Sequence, residues 1–187
     1  MIRSTLRSWK FMNLWHDISR KRITPEEFIA VIEIEKGGKN KYELDKESGA
    51  LILDRILYTS TRYPVNYGFI PRTYADDKDP LDVLVICSEK IHPMTLVKCY
   101  PIGMISMVDG GFQDEKIIAI PFNDPTYNGY RNIDELPAHV FDEIVHFFRV
   151  YKELEKKETA VNEVEGASAA IETIKKAIDG YFEMFDE

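Results

Sequence analysis

Residues 76–85 read DDKDPLDVLV, four aspartates within seven positions followed at once by an apolar run. Carboxylates held this close repel one another, and a loop whose exit is set by a strand cannot splay them all into water. A positive charge is therefore expected among them. Pro80 fixes one backbone angle inside the loop. Beyond Asp82, "DVLVICS" has the length and apolar content of a buried strand.

The same texture extends outward in both directions. "FIAVIEIE", "KYELD" and "ALILDRIL" precede the acidic loop, and "TLVKCYPIGMISM" and "KIIAIPF" follow it, separated by Gly, Pro, Asn or Asp. Six short strands between Phe28 and Ile120, with no helical spacing between them, predict a closed barrel rather than a parallel βαβ sheet. After "NIDELP" the period changes. Val140, Ile144, Phe147, Tyr151 and Leu154 predict an amphipathic helix from Pro137 to Lys156. A second helix starts near Gly166, with Ala167, Ala170, Ile171, Ile174, Ile178, Phe182 and Phe185 on one face. The fold class is mainly β with α: a small barrel carrying two C-terminal helices.

The 187 residues suit one domain, expected over 12–187, with 1–11 as an N-terminal extension. The net charge of −8 is uneven: the first 22 residues hold six Lys or Arg against one acid, leaving 18 basic and 31 acidic residues beyond them. A body this acidic repels nucleic-acid phosphates, so no nucleic-acid partner is expected. No apolar run reaches the roughly 18 residues that span a bilayer, and no membrane partner is expected either. Cys87 and Cys99 form no CxxC pair and are read as buried thiols in a reducing compartment. The basic, acid-free "MIRSTLRSWKF" faintly resembles an organelle transit peptide but has no apolar core, so the expected location is the cytoplasm, with an organelle as the alternative.

An isolated acidic loop is usually a solvated turn, but here further charges accompany it. "VDGGFQDEK" places Asp109 and Asp114 around a Gly-Gly turn, and Glu33, Lys41 and Glu43 lie on strands, with Lys41 and Glu43 on one face. An EF-hand counted from Asp77 fails, because position six is Asp82 and position twelve is Ser88. His16, His92, His139 and His146 form no HExxH motif, so zinc fits poorly. Oxygen-only ligands select Mg²⁺, with Mn²⁺ as a substitute. Ca²⁺, larger and less strict in geometry, should bind and inhibit. The candidate cations are Arg55 in mid-strand, Lys116 and Lys152, with Tyr151 beside the last. Asp54 is expected on the opposite face of its strand from Arg55. Carboxylates opposite Lys, Arg and Tyr make a site for a small, highly charged phosphate.

These residues are similar to those of the type I soluble inorganic pyrophosphatases. "DKDPLDV", residues 77–83, fits that family's D-x-D-P-x-D-V signature. "VIEIEKGGKNKYELDKESGAL", "LDRILYTSTRYPVNYGFIP", "VDGGFQDEKIIAIP" and "HFFRVYKELE" follow the family order, from about Trp15 to the end of the chain. The resemblance implies an OB-like five-stranded barrel and the hydrolysis of pyrophosphate to two phosphates. It implies Asp77, Asp82, Asp109 and Asp114 as metal ligands and Asp79 as general base. Lys41, Arg55, Lys116, Tyr151 and Lys152 become phosphate-binding groups, with Tyr67 beside the nucleophile, Tyr63 supporting the pocket, and Glu33 and Glu43 as outer acids. It also implies a homo-oligomer, a hexamer in proteins of this size. The rival reading is a non-catalytic, metal-stabilised OB-type binding module, with Tyr63, Tyr67, Phe69 and Tyr74 as a stacking platform.

Overall fold

Val83 and Val85 belong to one buried core and Leu84 and Ile86 to another, so this strand is covered on both faces. The computed structural model describes residues 12–109, 112–156 and 159–185. Its central sheet joins β1 (Phe28–Ile34), β4 (Asn66–Phe69), β5 (Asp82–Val85), β7 (Phe112–Pro121) and β6 (Leu96–Asp109), and β6 pairs back onto β1. The result is a five-stranded ring. An odd number of strands cannot alternate direction all the way round a closed ring, and the mismatch falls at β5 and β7, which run parallel. That single parallel pair is reached through β6, with no helix between.

The long β6 serves two neighbours. Its start closes the ring onto β1, and its later part, beyond a register shift between Pro101 and Gly103, carries β8 (Thr159–Gly166). A separate hairpin of β2 (Asn40–Leu44) and β3 (Leu51–Ile56) stands beside the ring. Gly68 allows β4 to lie close against β1, because a Cβ there would sit 1.8 Å from the Val31 carbonyl oxygen.

Each helix covers one face of the ring. α1 (Ala138–Val150) buries Ile144, Phe147 and Phe148 against the core that holds Leu84 and Ile118. α2 (Ala167–Phe185) buries Ala170, Ile174, Ala177 and Tyr181 against the core that holds Val83 and Ile117. The expected stripe is thus turned toward Ala177 and Tyr181, and Phe185 is 42% exposed. α1 also stops earlier than its spacing suggests. Beyond Tyr151 the chain tightens into a 3-10 turn, Glu153–Glu155, which Lys156 closes in the left-handed region at φ 55°. Leu154, expected on the apolar face, is 63% exposed in consequence.

Candidate active site

The acidic loop is tied at its base. Ile70 N–H donates to the Leu81 carbonyl at 2.9 Å. The Thr73 hydroxyl donates to the Ile70 carbonyl at 2.6 Å and accepts from Leu81 N–H at 2.8 Å. Within the loop, Asp79 N–H donates to Asp77 Oδ1 at 3.0 Å, and Lys78 takes φ 70° to complete the turn. Asp77, Asp79 and Asp82 are thereby carried to the wall of one cavity of about 340 Å³.

A further part of the wall comes from the parallel pair. Asp82 and Lys116 are Cα partners between β5 and β7, and Asp114, two residues before Lys116, shares its face. Lys116 Nζ lies 2.6 Å from Asp82 Oδ2 and 2.7 Å from Asp114 Oδ1, with its side chain only 3% exposed. Burial alone would lower this ammonium, but Asp114 and Asp82 outweigh it and hold it well above the ordinary lysine range. Here is the positive charge that the crowded aspartates require. The Tyr67 hydroxyl also reaches Asp82, and Tyr63 packs 5.3 Å from Tyr67 and 4.7 Å from Phe147. Burial, then Asp82 and Asp114, keeps the Tyr67 phenol protonated far above its usual range.

Glu33 reaches the cavity from β1 and accepts from Leu44 N–H at 2.7 Å. Burial, then the charge of Asp82, raises its carboxyl to about 8. Asp77, at the mouth, is raised to about 6 by partial desolvation and then by Asp82 and Asp114. Lys41 and Glu43 contact each other on one face of β2, as expected, and Tyr151 and Lys152 enter where the chain leaves α1. Arg55 and Tyr63 do not line the cavity themselves, and the side chain of Asp109 lies outside the described residues. The N-terminal residues 1–11 also lie outside them.

The expected placement of Asp54 is overturned. Lys41 pairs with Arg55 but Tyr42 pairs with Leu53, so Asp54 is the extra residue of a β-bulge. The bulge breaks the alternation, and Asp54 contacts both Arg55 and, at 3.3 Å, Lys41. Two further residues escaped the reading of the sequence. Lys46, in an exposed turn, lines the cavity and contacts Asp79. Glu155, whose side chain is 7% exposed, accepts from Arg55 Nε at 2.9 Å. Neither position carries a periodic signal.

Among the described residues, no three His, Cys, Asp or Glu side chains are gathered closely enough to hold a metal ion as they stand. Asp82 and Asp114 are turned onto Lys116 instead. The donor set still fits a hard divalent cation, being all oxygen, with the Asp77 carboxyl raised by burial and then by its neighbours Asp82 and Asp114. The proposed stacking platform is unsuited to bases, since Tyr63, Tyr67 and Phe69 are 2%, 8% and 1% exposed. No helix among the described residues is long and apolar enough to cross a membrane.

The family model for inorganic pyrophosphatase matches residues 30–182. Soluble inorganic pyrophosphatase 1 of Arabidopsis thaliana is 47% identical over 169 residues, covering 90% of this chain and 80% of that protein. Soluble inorganic pyrophosphatase 2 of Chlamydomonas reinhardtii is 44% identical over 171 residues, covering 91% and 89%. The crystal structure of inorganic pyrophosphatase from Thermus thermophilus superposes with a TM-score of 0.86 at 36% identity, covering 91% of this chain and 99% of that one. With an OB-like ring under two helices and a cavity walled by carboxylates and lysines, the chain belongs to the inorganic pyrophosphatase family.

Proposed function

We propose that the chain hydrolyses pyrophosphate to two phosphates in this cavity, with 12–187 acting as one catalytic domain. The observation that supports the reading is a cavity wall on which carboxylates (Asp77, Asp79, Asp82, Asp114) stand together with cationic and phenolic groups suited to phosphate (Lys41, Lys116, Tyr151, Lys152). Asp77, Asp82 and Asp114, joined by Asp109, would hold Mg²⁺ or Mn²⁺, which when bound neutralises the polyanion and activates water. Asp79 takes the proton of the attacking water, a task that needs hydrogen-bond reach to the reacting oxygen. The bond from phosphorus to the bridging oxygen breaks as the bond to the water oxygen forms.

Lysines 41, 116 and 152 with the Tyr151 hydroxyl hold the two phosphoryl groups and stabilise charge on the departing phosphate. Phosphoryl transfer depends on such positioning and electrostatics more than on covalent participation. Tyr67, protonated, donates to the carboxylate beside the reacting oxygen, and Tyr63 backs it. Glu33, buried against Leu44 N–H, and Glu43, beside Lys41, are supporting acids outside the proposed metal ligands. A homohexamer working in the cytoplasm completes the reading, to be checked by sedimentation and cell fractionation.

The deciding measurement is phosphate release from pyrophosphate with Mg²⁺, with a chelator control, for the parent and for Asp82→Asn. Chelator-sensitive release that falls by orders of magnitude at low Mg²⁺ in the variant supports the assignment. Release that ignores both the chelator and the substitution would sink it.

A further inference from the structure

The guanidinium of Arg55 is held through two of its nitrogens, while the third is buried beside the cavity wall that Lys41 lines. Its Nε donates to Glu155 Oε1 at 2.9 Å, and Nη1 donates to Asp54 on the β-bulge. Nη2 is buried and has no hydrogen-bond partner among the described residues. A buried donor without an acceptor is costly, so such an atom usually marks a place a ligand completes. The planar fork is rigid, and fixing two of its nitrogens fixes the direction of the third.

The grip comes from far along the chain. Glu155 is 100 residues from Arg55 and ends the 3-10 turn that begins two residues after Tyr151. Glu155 N–H donates to the Lys152 carbonyl at 2.9 Å, so the turn that delivers Tyr151 and Lys152 to the cavity also sets Glu155. On the other side Asp54 bridges Arg55 to Lys41, which lines the cavity. Two carboxylates on one guanidinium also cancel its charge. Arg55 is thereby better suited to directed donation than to long-range attraction of an anion.

We propose that Glu155 is a positioning residue for pyrophosphate hydrolysis, holding Arg55 so that Nη2 donates to a phosphoryl oxygen of the substrate. This rests on the reading of the cavity given above. The function of Glu155 is to accept from Nε, and its negative charge is secondary. Glutamine, with an acceptor of the same reach, therefore substitutes for it better than leucine, which has the bulk alone.

The experiment measures KM and kcat for pyrophosphate at saturating Mg²⁺ in the parent, Glu155→Gln, Glu155→Leu, Arg55→Lys and the Arg55→Lys/Glu155→Leu double variant. Mn²⁺ binding to the free proteins is followed by calorimetry. Glu155→Leu is expected to lose roughly ten- to a hundredfold in kcat/KM, with Mn²⁺ affinity unchanged, and Glu155→Gln to recover most of that loss. In the Arg55→Lys background, Glu155→Leu should add little, because the two act as one unit. Parent-like kinetics for Glu155→Leu would overturn the proposal. Equal losses in Glu155→Leu and Glu155→Gln, additive with Arg55→Lys, would overturn it as well. A parent protein that releases no phosphate overturns the reading of the cavity; binding of a methylene-bridged diphosphonate that Glu155→Leu does not weaken then overturns the positioning role too.

Discussion

Lys116 and Asp82 are neighbours across the one parallel strand pair of the ring, and their side chains meet at 2.6 Å inside the cavity. The lysine serves as an internal counter-ion, shared with Asp114, for carboxylates that would otherwise face only one another.

Removing that counter-ion should be costly in metal-free protein. Lys116→Met leaves two partly buried carboxylates unpaired, and loss of one partner from such a cluster costs about 3–5 kcal/mol. Urea unfolding in the presence of a chelator is expected to show that drop, and added Mg²⁺ to recover part of it. An unchanged midpoint would mean that the contact is incidental.

Asp79 and Asp82 should separate by kinetics. If Asp79 accepts a proton, Asp79→Asn lowers kcat by roughly 10²- to 10⁴-fold while metal affinity changes little. Full rescue by excess Mg²⁺ would make Asp79 a further ligand.

The raised carboxyl of Glu33 has a signed effect on stability. Folded, Glu33 holds its proton up to about pH 8, whereas unfolded it loses it near 4.5. Between those values the folded state binds more protons, so this group's contribution to stability falls as pH rises. Glu33→Gln, which keeps an acceptor for Leu44 N–H, should match the parent near pH 5. Without metal it should be more stable near pH 8, by roughly 3–4 kcal/mol. Parallel stability profiles for the two proteins across this range would refute the shift.

Ca²⁺ should occupy the carboxylates and stop turnover. It takes more ligands at longer distances than Mg²⁺, and a displacement of about 1 Å in the reacting groups costs on the order of a hundredfold in rate. Titrating Ca²⁺ into an Mg²⁺-supported assay, with calorimetry alongside, gives the answer. Ca²⁺ that binds and sustains turnover as Mg²⁺ does would remove the case for a strict octahedral ion.

Much of this site was legible because it lies on short, strongly marked pieces of chain. "DKDPLDV" reads directly, and period two places Lys41 with Glu43. What was not legible depends on partners distant in sequence. β8 carries two acids and an Asn, and is a strand only because β6 offers it an edge. β4 hides behind Gly68, which looks like a breaker until β1 passes beside it. Asp54 reads as facing away from Arg55 under strict alternation, and one extra residue reverses that. The end of α1 is equally hidden, since Leu154 keeps the helical spacing after the backbone has tightened.

The odd strand count of the ring has a consequence for how the protein is made. Asp82 and Lys116 are 34 residues apart, and their strands cannot pair until β6 has been laid down between them and folded back. A growing chain therefore displays its acidic loop well before it owns the lysine that balances it. Tyr151 and Lys152 arrive later still. No early fragment holds a working half-site, and long-range closure of this kind is slow compared with local folding. Catalytic competence therefore waits for ring closure and for the chain beyond the ring to deliver Tyr151 and Lys152.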